Sequence, residues 1–270
     1  MKISHVIRGD DHVNNTPRQI NILEALGATV PVYAHLSMIL GDDGQKLSKR
    51  HGAVSVMDYP EKGYLREAVV NYLARLGWSH GVDEVFSIEQ FCQWFDLDHI
   101  TASAAQFNTE KLNWLNHEYI KKTEPSALAA LLKPYLEKRG FDATAGPELA
   151  RVAELLRDRA PTLVDMADAA RYFYVRPTVD AALLAIHLTD VARPALAELK
   201  EVLKSLSWSR ADISAAIKGG VGKHALKMPQ IMMPLRVALT GQTQTPAIDA
   251  IMDVLGREET LKRLDTVLPN

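Results

Sequence analysis

The sequence is poor in cysteine and contains no long apolar run. Cys92 is the single cysteine among 270 residues, which excludes an internal disulfide framework and a cysteine-based zinc ribbon. No stretch of 18 consecutive apolar residues occurs, so we expect no membrane span and no membrane partner. The first residues lack the apolar core of a signal peptide. Together these features favour a reducing, cytoplasmic setting.

The sequence also lacks a strong net charge and an excess of proline or glycine. Its formal net charge is -2, with 13 prolines, 15 glycines and 24% charged residues. Hydrophobic residues make up 47%, which is enough to fill the cores of two modest domains or of one large domain and argues against wholesale disorder. Because the overall charge is so small, any nucleic-acid binding must depend on local basic patches.

The first 60 residues carry a mixed α/β pattern. A strand is predicted over 3–7, and Asn15-Thr16-Pro17 provides a helix start with proline in the first turn. That helix is predicted to end at Gly27, and extended segments follow over 30–40.

Helical periodicity takes over from residue 65. Apolar residues recur with a 3.6-residue period to Gly77, and the chain after residue 123 is predicted to be entirely helical. We predict three parts, the last in two lobes: residues 1–60, 61–124 and 125–270, with lobes over about 125–178 and 179–270.

A polar segment rich in glycine and aspartate, GDDGQKLSKRHG at 41–52, is predicted to be a mobile surface loop. Its lysines Lys46 and Lys49 lie three residues apart with Ser48 between them. Ammonium groups on such a loop can reach a polyphosphate and stabilise charge that develops during phosphoryl transfer. By charge alone, a solvated surface cluster is the alternative interpretation.

Three blocks of sequence together resemble the bacterial glutamyl-tRNA synthetases: HVIRGDDH at 5–12, NTPRQ at 15–19 and the segment at 41–52. The Lys46–Arg50 stretch is similar to the class I KMSKS signature, with Leu47 in place of Met and Arg50 in place of Ser. The similarity continues through NYLARLGW at 71–78, FNTEKLNWLN at 107–116 and PLRVALTG at 234–241.

The resemblance implies a mainly α fold. It predicts a small α/β remnant of a Rossmann-like catalytic domain, then a helical stem-contact region and an all-α anticodon-binding domain. It implies an enzyme, a glutamate–tRNA ligase, that converts glutamate and ATP to glutamyl-adenylate and transfers the glutamyl group to tRNA(Glu). Mg²⁺ would accompany ATP, with no dedicated metal site in this chain, and we expect a monomer.

The family's HIGH signature is not found, since the sequence contains no His-x-Gly-His. We therefore expect a carboxy-terminal fragment of a longer enzyme, itself without catalytic turnover. The alternative function is that of a tRNA anticodon-binding module without catalysis. A helical interaction protein with no nucleic-acid role is a third possibility.

The resemblance assigns catalysis to Lys46 and Lys49. The resemblance also assigns ATP binding to these two lysines and to four further residues: Ser48, His12, Met38 and Ile39.

The glutamate substrate falls to Arg8 and Asp11. The planar donor fork of Arg8 suits a carboxylate, although a structural ion pair with Asp10 or Asp11 is the alternative. Met38 and Ile39 would use backbone groups toward adenine, while their side chains are equally explained as core.

The resemblance assigns the tRNA anticodon to five residues: Arg159, Arg157, Arg236, Thr245 and Ile248. Arg159 would recognise the third anticodon base, which favours an enzyme that discriminates against tRNA(Gln) without deciding the question. Arginines near a helix end also favour the helix dipole, and a lone arginine in an apolar helix usually extends to solvent or pairs.

Two further patterns are assigned structural roles. Residues 219–224 (GGVGKH) suggest a phosphate-binding loop, but the required glycine and hydroxyl positions hold Ile217 and His224. We predict a loop between helices there, at which Lys223 and His224 could touch RNA. A methionine cluster is predicted to pack in the core: Met228, Met232 and Met233.

Overall fold

The computed structural model describes residues 2–41, 43–47 and 55–268. The chain divides into two compact units, Met1–Lys122 and Thr123–Asn270. The boundary between the two units falls after Lys122, two residues before the boundary predicted after residue 124. The predicted division of the first unit at residue 60 and of the second into two lobes stays a prediction. None of the helices formed by the described residues has both the length and the apolar character that a membrane crossing needs.

The first unit combines short strands with helices. Its strands are β1 (His5–Gly9), β2 (Val32–Leu36), β3 (Ile39–Leu40) and β4 (Ala105–Gln106). Its α-helices are α1 (Thr16–Ala25), α2 (Asp58–Glu61), α3 (Arg66–Gly77), α4 (Ile88–Trp94) and α5 (Thr109–Lys122), and a 3₁₀ helix, Asp10–Asn15, links β1 to α1.

Strands β1 and β2 pair in parallel, with Arg8 opposite His35. Strand β3 pairs in parallel with β4 in a separate two-stranded sheet of the described residues. Apolar side chains of the first sheet remain accessible: Ile7 is 43% and Val32 52% exposed. These two residues therefore contribute little to the core of this unit.

The core of the first unit lies between α3 and α5. It buries six side chains around the two helices: Tyr59, Tyr64, Val69, Tyr72, Leu112 and Leu115. Two buried asparagines fix the adjoining loops. Asn116 Oδ1 accepts from the Leu65 backbone N–H at 2.8 Å, and Asn71 Oδ1 accepts from that of Phe86 at 3.1 Å. These bonds satisfy backbone groups that burial would otherwise leave unpaired.

The second unit is helical throughout its described part. Its first helices are α6 (Pro125–Lys138), α7 (Leu149–Leu156) and α8 (Leu163–Tyr174). The rest are α9 (Ala181–His187), α10 (Ala192–Ser205), α11 (Arg210–Lys223), α12 (Met228–Thr240), α13 (Ile248–Leu255) and α14 (Arg257–Val267). The predicted fold class, mainly α with a small α/β part, is confirmed.

Local sequence signals fix several helix starts in this unit. The side chains of Thr162, Asp180 and Ser209 accept hydrogen bonds from backbone N–H groups in the first turns of α8, α9 and α11. Gly241 ends α12 in the left-handed conformation, with φ of 69°. A residue with a Cβ is strained there, which explains the glycine.

The prediction of a loop at residues 219–224 is wrong, because α11 continues through the glycines to Lys223. Buried Ile213 and Ile217 anchor the helix against its neighbours. At its end, Lys223 and His224 contact the Glu198 carboxylate of α10, with His224 Nε2 at 3.0 Å from Glu198 Oε2. Packing and these pairs offset the low helix propensity of glycine, about 1 kcal/mol per residue.

The predicted core role is wrong for Met228, and for Met232 and Met233 it stays a prediction. Met228 is 37% exposed, and Met232 and Met233 are only half-buried. The buried face of α12 is formed instead by residues such as Ile231 and Leu235, both at 0% exposure. The methionines fall at the edge of this face, so their apolar character alone does not place them in the core.

Candidate functional sites

Arg8 at the end of β1 is held by its neighbours. Its Nη2 donates to Thr16 Oγ1 at 2.9 Å, and its guanidinium lies 5.3 Å from the ring centre of Tyr33. His35, opposite Arg8 on β2, lies 3.5 Å from Arg8 Nε. Within the described part of the chain, Arg8 makes no ion pair with an aspartate. The guanidinium is therefore oriented without a carboxylate partner, and its positive charge is available to an anion.

The structure brings Lys46 together with Asp11. Lys46 Nζ lies 3.5 Å from Asp11 Oδ2, and both side chains are substantially exposed. Lys46 forms an antiparallel bridge with Leu40, so its backbone is attached to β3. Gly9 lies directly behind the carboxylate, since a Cβ at this position would be 2.6 Å from Asp11 Oδ1. These contacts bring together two charged candidate residues, Asp11 and Lys46, that lie 35 positions apart in the sequence.

The remaining ATP candidates differ in how far the structure describes them. His12 is exposed, and its Nδ1 lies 3.3 Å from Asn15 Nδ2. Met38 and Ile39 are half-buried, and the Ile39 carbonyl accepts from the Leu47 N–H at 2.9 Å. Ser48 and Lys49 lie outside the described residues, as does half of the predicted loop.

Arg157 and Arg159 lie in the turn between α7 and α8. Arg157 is the residue that closes α7 and is half-buried, while Arg159 is exposed. The Arg159 backbone N–H donates to the Leu156 carbonyl at 2.9 Å. Positive charges at the carboxyl end of α7 interact favourably with the negative end of its dipole and so stabilise the helix. The exposed fork of Arg159 also leaves its donors accessible to a ligand.

Arg236 is half-buried on α12. Its Nη1 lies 3.5 Å from the Thr243 carbonyl oxygen, and its Nε is buried without a partner in the described structure. The hydroxyl of Tyr172 on α8 is likewise buried and unpaired among the described residues. Burial raises the pKa of Tyr172, and the charges of Arg159, Arg263 and Arg236 act against that rise. Two of the three predicted anticodon arginines, Arg159 and Arg236, thus act electrostatically on Tyr172.

Sequence reasoning missed Tyr172. It occupies the apolar face of α8 beside Phe173, with ring centres 4.5 Å apart, so its pattern is that of a core aromatic. A buried phenol normally finds a hydrogen-bond partner. The local sequence carries no signal that this one lacks a partner, because tertiary packing and not the neighbouring residues decides which polar groups reach it.

The last two anticodon candidates are buried. Ile248 is 0% and Thr245 8% exposed, and Thr245 Oγ1 donates to the Pro246 carbonyl at 3.0 Å. Contact between their side chains and a nucleotide would require a change in this region. Their assigned roles stay predictions.

No group of three or more His, Cys, Asp or Glu side chains is placed to hold a metal ion within residues 2–41, 43–47 and 55–268.

Comparisons with known proteins match both units. The family model for the catalytic domain of class I tRNA synthetases (E and Q) matches residues 1–114. The family model for an anticodon binding domain matches residues 127–268, more than half of the chain. The chain therefore belongs to the family that carries this anticodon binding domain, and its first part is similar to the catalytic domain of class I tRNA synthetases (E and Q).

Individual relatives are glutamate–tRNA ligases, which confirms the resemblance found in the sequence. The enzyme of Janthinobacterium sp. (strain Marseille) is 63% identical over 264 residues, 98% of this chain and 57% of the relative. That of Thiobacillus denitrificans is 63% identical over 270 residues, again 57% of the relative. The chain thus spans 57% of the length of these relatives.

Solved structures give the same result. The glutamate tRNA ligase of Elizabethkingia meningosepticum, in complex with its amino acid, has a TM-score of 0.85 at 29% identity. The match covers 99% of this chain and 57% of that one. The glutamate-tRNA synthetase of Elizabethkingia anophelis has a TM-score of 0.81 at 29% identity, over 100% and 57% of the two chains.

Proposed function

We propose that this chain forms part of a glutamate–tRNA ligase. The full-length enzyme, of the length of its relatives, joins glutamate to ATP as glutamyl-adenylate and then transfers the glutamyl group to the 3′-terminal ribose of tRNA(Glu). The observation that carries the proposal is the 63% identity to glutamate–tRNA ligases over 98% of the chain. We further propose a monomer that acts in the cytoplasm without a membrane partner.

In this proposal the lysines of the signature segment act on ATP. A glutamate carboxylate oxygen attacks the α-phosphorus, and pyrophosphate leaves with the electron pair of the broken bond. Lys49, assisted by Lys46, stabilises the charge that grows on the phosphate oxygens. The exposure of Lys46 beside Asp11 supports this role, because a weakly held ammonium group is available to phosphate. Mg²⁺ enters with ATP as part of the substrate.

Four further residues complete the proposed ATP site: Ser48, His12, Met38 and Ile39. Arg8 and Asp11 are proposed to bind glutamate. The support for Arg8 is its fixed orientation, since Thr16 and the Tyr33 ring hold the guanidinium in place before a ligand binds. A preoriented donor fork loses less freedom when it binds a carboxylate.

The second unit is proposed to bind the anticodon of tRNA(Glu). Arg159 recognises the third base by hydrogen bonds, and four further residues line the approach: Arg157, Arg236, Thr245 and Ile248. Arginine both hydrogen-bonds and stacks on unpaired bases, which suits a single-stranded loop. The support is the anticodon-binding family match over 127–268, together with the exposure of Arg159 in the turn between α7 and α8.

A second candidate function is an anticodon-binding module that does not catalyse the reaction by itself. The observation that favours it is the extent of the two family matches, since the anticodon-binding match is the longer one. Both candidates predict tRNA binding, and only the first predicts turnover of ATP.

Two measurements separate them. The first is glutamate-dependent exchange of pyrophosphate into ATP, by this chain and by the full-length enzyme. The second is binding of this chain to tRNA(Glu), with tRNA(Gln) as competitor, at two salt concentrations. Exchange by the full-length enzyme supports the ligase, and selective, salt-sensitive binding by this chain alone supports an autonomous module. Absence of both would contradict the proposed function.

A further inference from the structure

The helices of the second unit form two groups joined by one extended segment. Helices α6–α8 pack on one another, as do α9–α14, and α7 packs against α13 between the groups. Residues 175–180 connect α8 to α9. Arg159 lies in the first group and Arg236 in the second. The relative placement of the groups therefore sets the distance between the two arginines.

The connecting segment is surrounded by open space. Three clefts of about 300, 590 and 320 Å³ adjoin it, and Arg176 lines all three. Arg176, Thr178 and Asp180 of this segment are exposed, so few side chains pack against it. Its position must depend on a small number of contacts.

The first contact is a charged network at Arg176. Arg176 Nη2 lies 3.0 Å from Glu259 Oε2, and Arg176 Nε lies 3.3 Å from Oε1 of the same carboxylate. Glu259 on α14 also accepts from Arg263 Nε at 2.8 Å. Arg263, which is 3% exposed, donates through Nη1 to the Leu239 carbonyl of α12 at 2.6 Å. The network therefore links the connecting segment to α14 and α12.

The second contact is a close approach between the connecting segment and Gly241, at the end of α12. A Cβ at Gly241 would lie 3.2 Å from Pro177 Cβ and 3.5 Å from the Thr178 carbonyl oxygen. Gly241 directly follows the last residue of α12, the helix that carries Arg236. Residues 177 and 178 thus lie close against the end of this helix, and the Arg176 network is the polar contact that holds the segment there.

The charges of the network favour a fixed arrangement. Burial alone would raise the pKa of Glu259, but hydrogen bonds from Arg176 and Arg263 outweigh it, and the pKa is lowered. The carboxylate is therefore ionised at neutral pH. A bidentate arginine–carboxylate pair constrains orientation as well as distance.

We propose that Arg176 and Glu259 are positioning residues for anticodon discrimination. They hold the two helix groups at the spacing at which Arg159 and Arg236 contact one anticodon loop. This inference rests on the proposed anticodon-binding function and adds residues that do not themselves contact the RNA.

The test uses this chain and two RNA hairpins. One hairpin carries the anticodon stem and loop of tRNA(Glu), and the other has the third anticodon base changed from C to G. Arg176→Gln removes the bidentate pair, and its 52% exposure makes the substitution tolerable for folding. The helix groups stay attached in the variant because α7 still packs on α13, where Arg151 Nη2 lies 2.9 Å from Asp253 Oδ2.

The matched control is Arg210→Gln. Arg210 Nε pairs with Asp249 Oδ2 at 3.2 Å, with a side-chain exposure of 61%, and both residues belong to the second helix group. Fluorescence anisotropy gives the affinity of each variant for both hairpins, and thermal unfolding followed by circular dichroism gives its stability. The ratio of the two affinities is the readout that a merely structural role would not change.

We expect Arg176→Gln to reduce the preference for the C hairpin by about fivefold or more, as for a typical coupling between sites. The control should keep the wild-type preference at a similar melting temperature. An unchanged preference in Arg176→Gln overturns the inference and leaves the anticodon proposal intact. Equal weakening for both hairpins also overturns it, because it would identify Arg176 as a phosphate contact. A wild-type chain without any preference overturns the anticodon proposal and the inference with it.

Discussion

Lys46 and Asp11 form an ion pair across the first unit, with Lys46 Nζ 3.5 Å from Asp11 Oδ2. The two side chains are 63% and 46% exposed, so solvent screens their attraction and the pair adds little to folding stability. Asp11 lies in the 3₁₀ helix that follows β1, whereas Lys46 lies in the segment that follows β3. The pair matters for its location, because it places Lys46, proposed to bind the ATP phosphates, next to Asp11, proposed to bind glutamate.

Lys46→Ala tests the phosphate role. In the full-length enzyme we expect glutamate-dependent pyrophosphate exchange to fall by about tenfold or more, because a charge-assisted contact of about 1.5–3 kcal/mol is lost at the transition state. The melting temperature should change little, since the ion pair is exposed. By the resemblance, Lys49→Ala is expected to have the same effect.

Lys62→Ala provides the control for that experiment. Lys62 is an exposed lysine that follows α2, outside the signature segment. Its removal changes the charge of the first unit by the same amount. Equal rates of pyrophosphate exchange in the Lys46 variant and in this control would show that Lys46 does not act on ATP.

Arg159→Gln tests third-base recognition. Loss of a specific base contact should relax discrimination between C and G at the third anticodon position by about 1–3 kcal/mol. Competition between tRNA(Glu) and its third-base variant measures this difference directly. Arg193→Gln, an exposed arginine on α10, is the control. If the two variants discriminate equally well, the role assigned to Arg159 is wrong.

Helix periodicity could be predicted from the sequence because it is local. The starts of α6 at Pro125 and of α11 after Ser209 agree with their sequence signals. The glycines of α11 misled the prediction because a contact with α10, through Glu198, supports the helix end. Propensity reflects only neighbours in sequence, whereas Glu198 is more than twenty residues away.

The candidate sites show the same limit. Arg159 and Arg236 could be singled out by resemblance, but the buried Tyr172 hydroxyl, which has no partner among the described residues, could not. The charged network of Arg176 and Glu259 joins residues 83 positions apart, and no local pattern connects them. Polar partners of this kind are determined by tertiary packing, so only the structure reveals them.

Glu259 should make the stability of the chain sensitive to acid. Its pKa is lowered in the folded state, where hydrogen bonds from Arg176 and Arg263 outweigh the effect of burial. The ionised form therefore stabilises the fold above the ordinary glutamate pKa of about 4.3, and this contribution is lost as the pH falls through the lowered value. Glu259→Gln should be less stable than wild type at pH 7.

Urea unfolding of wild type and Glu259→Gln between pH 7 and pH 3 checks this expectation. The difference in unfolding free energy should shrink toward the acid end, as wild type loses the same charge. Glu154→Gln, an exposed position on α7, serves as the reference. A difference that stays constant over the whole range would show that the charge of Glu259 does not matter.

Tyr119 in the first unit should ionise only at high pH. Its hydroxyl donates to the Phe86 carbonyl at 2.6 Å and lies 2.8 Å from Asn71 Oδ1. Burial raises the pKa of Tyr119 to about 12, and the negative charge of Glu67 adds to the rise. Because the neutral phenol is favoured in the folded state, its contribution is complete below about pH 10 and is lost as the pH rises through the folded pKa.

Tyr119→Phe should destabilise the first unit by about 1–3 kcal/mol, since the Phe86 carbonyl and Asn71 lose a buried hydrogen-bond donor. NMR titration of the phenol carbons in wild type should show a resonance with a midpoint near pH 12 that is missing from the variant. Tyr33→Phe, at a half-buried position on β2, controls for the loss of a hydroxyl. A stability change no larger than that of the control would mean that the Tyr119 hydroxyl does not hold α5 to the loop at Phe86.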